Sequence, residues 1–123
     1  MRYILFFFGL IICTTSFSQN KNVTAAKHVA ERVVPSLADK IVFQQIDRSP
    51  DGKDVYEIET KNNQLIVKGN NANSMCVGLN DYLRNYCHVA VSWYRHDSLQ
   101  VPKTLASVAS PVRREANVSK RFF

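Results

Sequence analysis

The chain has 123 residues, 46% of them apolar, and a formal net charge of +6. That apolar content is too high for a disordered chain, and the length suits one domain. Basic residues are spread over positions 21–121 with acids interleaved, and neither zinc-finger spacing nor an aromatic-basic RNA-binding signature is present; this excludes a nucleic-acid partner and leaves the charge as a solvated surface.

The first residues decide the compartment. Arg2 gives a short positive start, residues 3–13 are an unbroken apolar run of eleven, and residues 14–18 turn small and polar. That order is a secretory signal peptide over residues 1–18. A membrane-spanning helix needs about 20 apolar residues, so no transmembrane span is expected. Small residues at Ser16 and Ser18 place cleavage between Ser18 and Gln19. The alternative is a lipoprotein attached through Cys13, which Ile12 disfavours because a small residue is preferred before the lipidated cysteine. Either route makes the protein exported, periplasmic or secreted. Removing 18 residues leaves 105 and a charge of +5. A domain of that size folds alone with little margin.

Thr24 is a candidate N-cap, and Ala25, Ala26, Val29, Ala30, Val33 and Val34 recur at helical spacing until Pro35 stops the run. Residues 41–46 are rich in β-branched side chains and predict a strand. Pro50, Asp51 and Gly52 predict a tight turn. Residues 54–60 alternate, with Tyr56 and Ile58 on one face and Val55, Glu57 and Glu59 on the other. A turn at residues 61–63 and a strand at 64–68 complete an expected antiparallel meander. Asparagines between residues 69 and 73 then cap a second helix, whose apolar stripe is Met75, Cys76, Leu79, Tyr82, Leu83 and Tyr86. A fourth strand is expected at residues 88–93, a short fifth at 99–101, and a linker from residue 103.

The expected fold class is α+β: a small, mostly antiparallel sheet of four to five strands with two helices on one face, in the order α-β-β-β-α-β. The uncovered sheet face, with Phe43, Val55 or their neighbours, is expected to stay partly apolar and to be the face that a second body buries.

Few residues carry chemistry. Asp47, Asp51, Gly52 and Glu57 fail the spacing of a calcium loop. Glu57 and Glu59 share a strand face, whereas glycosidic carboxyls flank the bond from opposite sides, about 5 to 9 Å apart. His28 and His96 have no ligand-spaced partner. Cys76 and Cys87 lie about 16 Å apart along a helix, far beyond the roughly 7 Å that a disulfide spans, so free thiols are expected. No catalytic residue, metal site or cofactor is expected. Trp93 and Tyr94 are candidates for sugar or interface contacts, as are Phe122 and Phe123. Arg113, Arg114, Lys120 and Arg121 form the one dense basic cluster.

The stretch over residues 78–93 (GLNDYLRNYCHVAVSW) resembles the N-terminal domain of α-N-acetylglucosaminidases, glycoside hydrolase family 89. There a helix with a Gly-Leu-x-x-Tyr-Leu-Arg pattern and an aromatic-Cys runs into a Cys-His-Val-type strand. The likeness reaches upstream to Val33-Val34-Pro35 and downstream through Leu99-Gln100-Val101-Pro102 to Lys120-Arg121-Phe122-Phe123. It implies an α+β domain over residues 19–102 and a linker over 103–123 leading to a (β/α)8 barrel that holds two catalytic glutamates. The implied partner is that barrel, in the same or a split polypeptide, with glycan substrate engaged only through it. No residue here matches a catalytic position of the family. A barrel needs about 250 residues, so the expected function is an accessory domain, inactive alone, of a truncated gene or a fragment. The competing expectation is a self-standing glycan-binding module using Trp93 and Tyr94.

Overall fold

The computed structural model describes residues 20–92 and 99–117. Helix α1 spans Lys21–Val33; Asn20, rather than Thr24, is its N-cap, and the Asn20 side chain accepts from the Asn22 amide at 2.9 Å. The helix stops before Pro35, and Ala38–Lys40 forms a short 3-10 turn. Strands β1 (Ile41–Gln45), β2 (Val55–Lys61) and β3 (Gln64–Gly69) follow, then helix α2 (Ala72–Asn85) and strand β4 (Val112–Glu115).

The turns form where the chain chemistry places them. Asn62 and Asn63 take φ of 50° and 57°, the left-handed pair of a two-residue hairpin, which asparagine tolerates better than most residues. Gly52 adopts φ 71°, and its amide donates to the Ser49 carbonyl at 2.9 Å. Asn71 caps α2 by accepting from the Ser74 amide at 2.8 Å. At the far end of α2, His88 is left-handed at φ 56°, and the Val89 amide folds back onto the Leu83 carbonyl at 2.8 Å.

The sheet order is β1-β3-β2-β4, and β1 runs parallel to β3, with Phe43 opposite Val67. The other two pairings are antiparallel. This corrects the expected meander: β1 and β2 do not pair, because the 46–54 connection carries the chain past β3 to the far side of the hairpin. It also corrects the location of the last strand. Residues 88–92 and 99–101 are not strand, and Val112–Glu115, expected as linker, supplies the fourth strand. The fold remains α+β with two helices.

The core lies between the helices and one face of this mixed sheet. Ala26 and Ala30 of α1 and Met75, Leu79, Tyr82 and Leu83 of α2 join Ile41, Phe43, Ile58, Leu65 and Val67 in one cluster. Helix α2 approaches closely because Gly78 faces the sheet: a Cβ there would sit 3.0 Å from Tyr56 and 3.1 Å from Val67. Val108, 5% exposed, seals the cluster from beyond α2; its amide donates to Thr60 Oγ1 at 2.9 Å, and its carbonyl accepts from that hydroxyl at 3.4 Å.

Phe43 therefore belongs to the core and not to the uncovered face. The outer face carries a charge ladder instead. Lys68 Nζ lies 2.9 Å from Glu59 and 3.6 Å from Glu57, and Arg113 reaches Glu57 from the other side. Its apolar content is limited to half-buried Val42 and Ile66, and to Val55, which is fully buried outside the main cluster.

Candidate functional site

Three features of the described residues have the geometry of a site. The first is a polar hub where β3 turns into α2. Asn70, 8% exposed, accepts from the Val55 amide at 2.8 Å and from the Ser74 hydroxyl at 2.9 Å. Its amide group donates to Asp54 Oδ1 at 2.9 Å, while Asn71 donates to that same oxygen at 3.1 Å. Gln45 donates to the Asn70 carbonyl, and Arg48 lies 3.7 Å from Asp54. No buried side-chain polar atom of these residues lacks a hydrogen-bond partner, so the hub is a structural joint.

The second feature is the cluster Tyr56–Asp81–Arg114, brought together by β2, α2 and β4. Burial, and then the facing Asp81 carboxylate, push the Tyr56 hydroxyl up to about 12. Arg114 Nε lies 3.5 Å from Asp81 Oδ2, and Asn85 donates to Asp81 Oδ1. Beside the cluster is a small cavity of about 220 Å³ bounded by Asp54, Tyr56, Ser74, Val77 and Arg114.

The third is an apolar groove of about 640 Å³ between the two helices, walled by Val29, Val33, Cys76, Leu79 and Leu83 and bordered by Val91. Val77 and Val91 are the exposed large apolar side chains among the described residues. Cys76 is half-buried and Cys87 buried, both as free thiols, as the helix spacing requires; burial raises both thiols above their ordinary value.

The sequence-derived site residues fare as follows. Ser18, Gln19, Trp93, Tyr94, Phe122, Phe123 and Cys13 lie outside the described residues. Glu57 and Glu59 share a face as expected, and both are bound to Lys68; neither borders the three features above. Of the basic cluster, Lys120 and Arg121 lie outside the described residues, while Arg113 and Arg114 leave β4 on opposite faces and each meets an acid. The Tyr56–Asp81–Arg114 cluster was not anticipated. Asp81 reads as solvated face of α2, and Arg114 as linker, until β4 brings the guanidinium over the helix. No group of three or more metal-ligating side chains occurs among the described residues, and no helix there is long and apolar enough to cross a membrane.

The family model for the α-N-acetylglucosaminidase N-terminal domain matches residues 24–106. The chain belongs to that family. No curated protein matches it. Among solved structures, it resembles a family 89 glycoside hydrolase from Clostridium perfringens in complex with GlcNAc-α-1,4-galactose, described as that enzyme's substrate, at TM-score 0.74 and 30% identity over 81% of this chain. A second structure, the family 89 hydrolase of that organism with PUGNAc, gives TM-score 0.72 and 31% identity over 78% of the chain. A third holds 2-acetamido-1,2-dideoxynojirmycin and gives TM-score 0.74 at 30% identity over 81%. The chain spans 11% of the length of each of these enzymes. It corresponds to the N-terminal domain of family 89 enzymes, whose catalytic part is a separate domain.

Proposed function

We propose that this chain is the accessory N-terminal domain of an exported α-N-acetylglucosaminidase-type glycosidase, that it packs against a (β/α)8 barrel, and that it hydrolyses nothing alone. The observation that carries the reading is the disproportion in coverage: four-fifths of this chain superposes on about a tenth of each family 89 enzyme. A glycosidase needs two carboxyls flanking one bond. The paired acids closest to that description, Glu57 and Glu59, lie side by side and share an ion pair with Lys68.

The surface chemistry favours the helix side as the packing face. The outer sheet face is an ion-pair ladder, costly to desolvate. The groove between α1 and α2 offers half-buried Val29, Val33 and Cys76, with exposed Val91 at its border, as apolar surface that a second body would bury. The export reading stands on residues 1–18 alone.

The pure chain is expected to release no chromophore from an aryl α-N-acetylglucosaminide; turnover that survives repurification would overturn the accessory reading. Expression with residues 1–18 intact in a bacterial host is expected to yield an exported form whose mass begins at Gln19. A cytosolic product of full mass would refute export.

A further inference from the structure

Strand β4 is held differently from its neighbours. Three of its four residues are exposed, and Val112 alone is half-buried against the core. It sits at the sheet edge and pairs with β2 only. Its two arginines grip the domain from opposite sides: Arg113 reaches Glu57 on the outer face, and Arg114 lies 3.5 Å from Asp81 of α2 on the inner face. Glu57 also faces Lys68, Asp81 also faces Tyr56, and Arg113 lies 3.9 Å from Glu115 of its own strand. Just upstream the anchoring changes, because Val108 is buried and exchanges hydrogen bonds with Thr60.

We propose that β4 is an ionically latched strap: it opens from the edge of β2 as a unit while the core through Val108 stays folded, and screening of its two ion pairs releases it. A segment with few buried apolar contacts belongs to the low-stability end of a domain and opens locally. What resists opening here is backbone pairing and charge. The charge part weakens as ionic strength rises, since both arginines are exposed, 46% for Arg113 and 59% for Arg114. Release bares the β2 edge at residues 55–58, a row of backbone groups of the kind that pairs with a foreign strand, so the latch also guards that edge. None of this depends on the accessory-domain reading.

Hydrogen exchange followed by mass spectrometry on the full chain tests the strap. Amides of residues 112–116 are expected to exchange faster than those of β3. They should accelerate by about three- to tenfold when sodium chloride is raised from about 0.05 M to about 1 M, with β3 unchanged. Glu57→Gln and Asp81→Asn should each speed exchange of 112–116 at low salt and blunt the salt response. They act on opposite faces, so a variant that unfolds, seen as lost β3 protection, leaves the other to decide. Exchange of β4 and β3 at one common rate would sink the proposal, as would β4 exchange indifferent to salt in the unsubstituted chain.

Discussion

The Tyr82 hydroxyl donates to the Ala106 carbonyl at 2.9 Å, across 24 residues of chain. Tyr82 is fully buried in the last turn of α2, its ring stacks on that of Tyr86 with centroids 5.8 Å apart, and the bond fixes the 99–108 segment over the end of the core. A leucine would fill the same volume without holding the segment. The tyrosine supplies both the apolar body and a donor for the half-buried carbonyl. Tyr82→Phe is expected to cost about 1–2 kcal/mol, since the carbonyl is left without that donor. Urea titration would register this as a lower midpoint at unchanged slope. A midpoint equal to that of the parent chain would show that the bond adds nothing to stability.

Two glycines should fail under substitution for different reasons. A Cβ at Gly69 would lie 2.7 Å from the Met75 backbone nitrogen, which cannot move without shifting the first turn of α2. Gly69→Ala is therefore expected to destabilise by about 1–3 kcal/mol, an overpacking cost. Gly52 has open space around it, and its difficulty is the φ of 71°. Gly52→Ala should cost about 1–2 kcal/mol, and Gly52→Asn less, because asparagine tolerates that backbone region. Thermal melts of the three variants give the comparison. Equal losses for Gly52→Ala and Gly52→Asn would contradict the conformational explanation.

Alkaline pH should unfold the domain. Cys76 and Cys87 are raised above 9.0 by burial, Tyr82 above 10.0 by the same cause, and Tyr56 to about 12 by burial and the Asp81 carboxylate. For each group the folded pKa exceeds the unfolded one, so the folded state holds more protons between the two values. The stability it contributes is fully present below the unfolded pKa and is lost as pH climbs towards the folded pKa. The melting temperature is thus expected to fall progressively above pH 9. Tyr56→Phe, which has no proton to retain, should flatten the decline between pH 10 and pH 12. An identical decline in the variant would mean that Tyr56 titrates alike in both states.

The helices, the first three strands and the turns were legible because each has a local cause. Apolar residues every three or four positions make α1 and α2, and Asn62-Asn63 and Gly52 supply left-handed backbone where a reversal needs it. Strand pairing was not legible. Nothing in residues 41–45 says whether their neighbour is β2 or β3, since β-branched composition describes a buried strand and not its partner. The alternation Val89, Val91 looked like a strand but belongs to irregular chain after a left-handed His88, with Val91 exposed. Conversely, Val112-Arg-Arg-Glu115 has no apolar alternation because both of its faces are occupied by charge. As for site residues, the free thiols followed from helical geometry alone. The Asp81–Arg114 pairing joins positions 33 apart through an element that local pattern could not reveal.

The parallel pairing of β1 with β3 has a consequence for biogenesis. Residues 41–45 emerge from a ribosome before the strand that will receive them exists, and their partner is complete only at Gly69. In the interval Ile41 and Phe43 have no sheet to join, while the β2–β3 hairpin can close on itself through sequence-local contacts. Assembly is then expected to run backwards along the chain, with the hairpin as seed and the earlier strand added last. A holdase that shields the first-made third of the polypeptide would serve this order, whereas a pause in translation between residues 45 and 64 would prolong the exposure of that third.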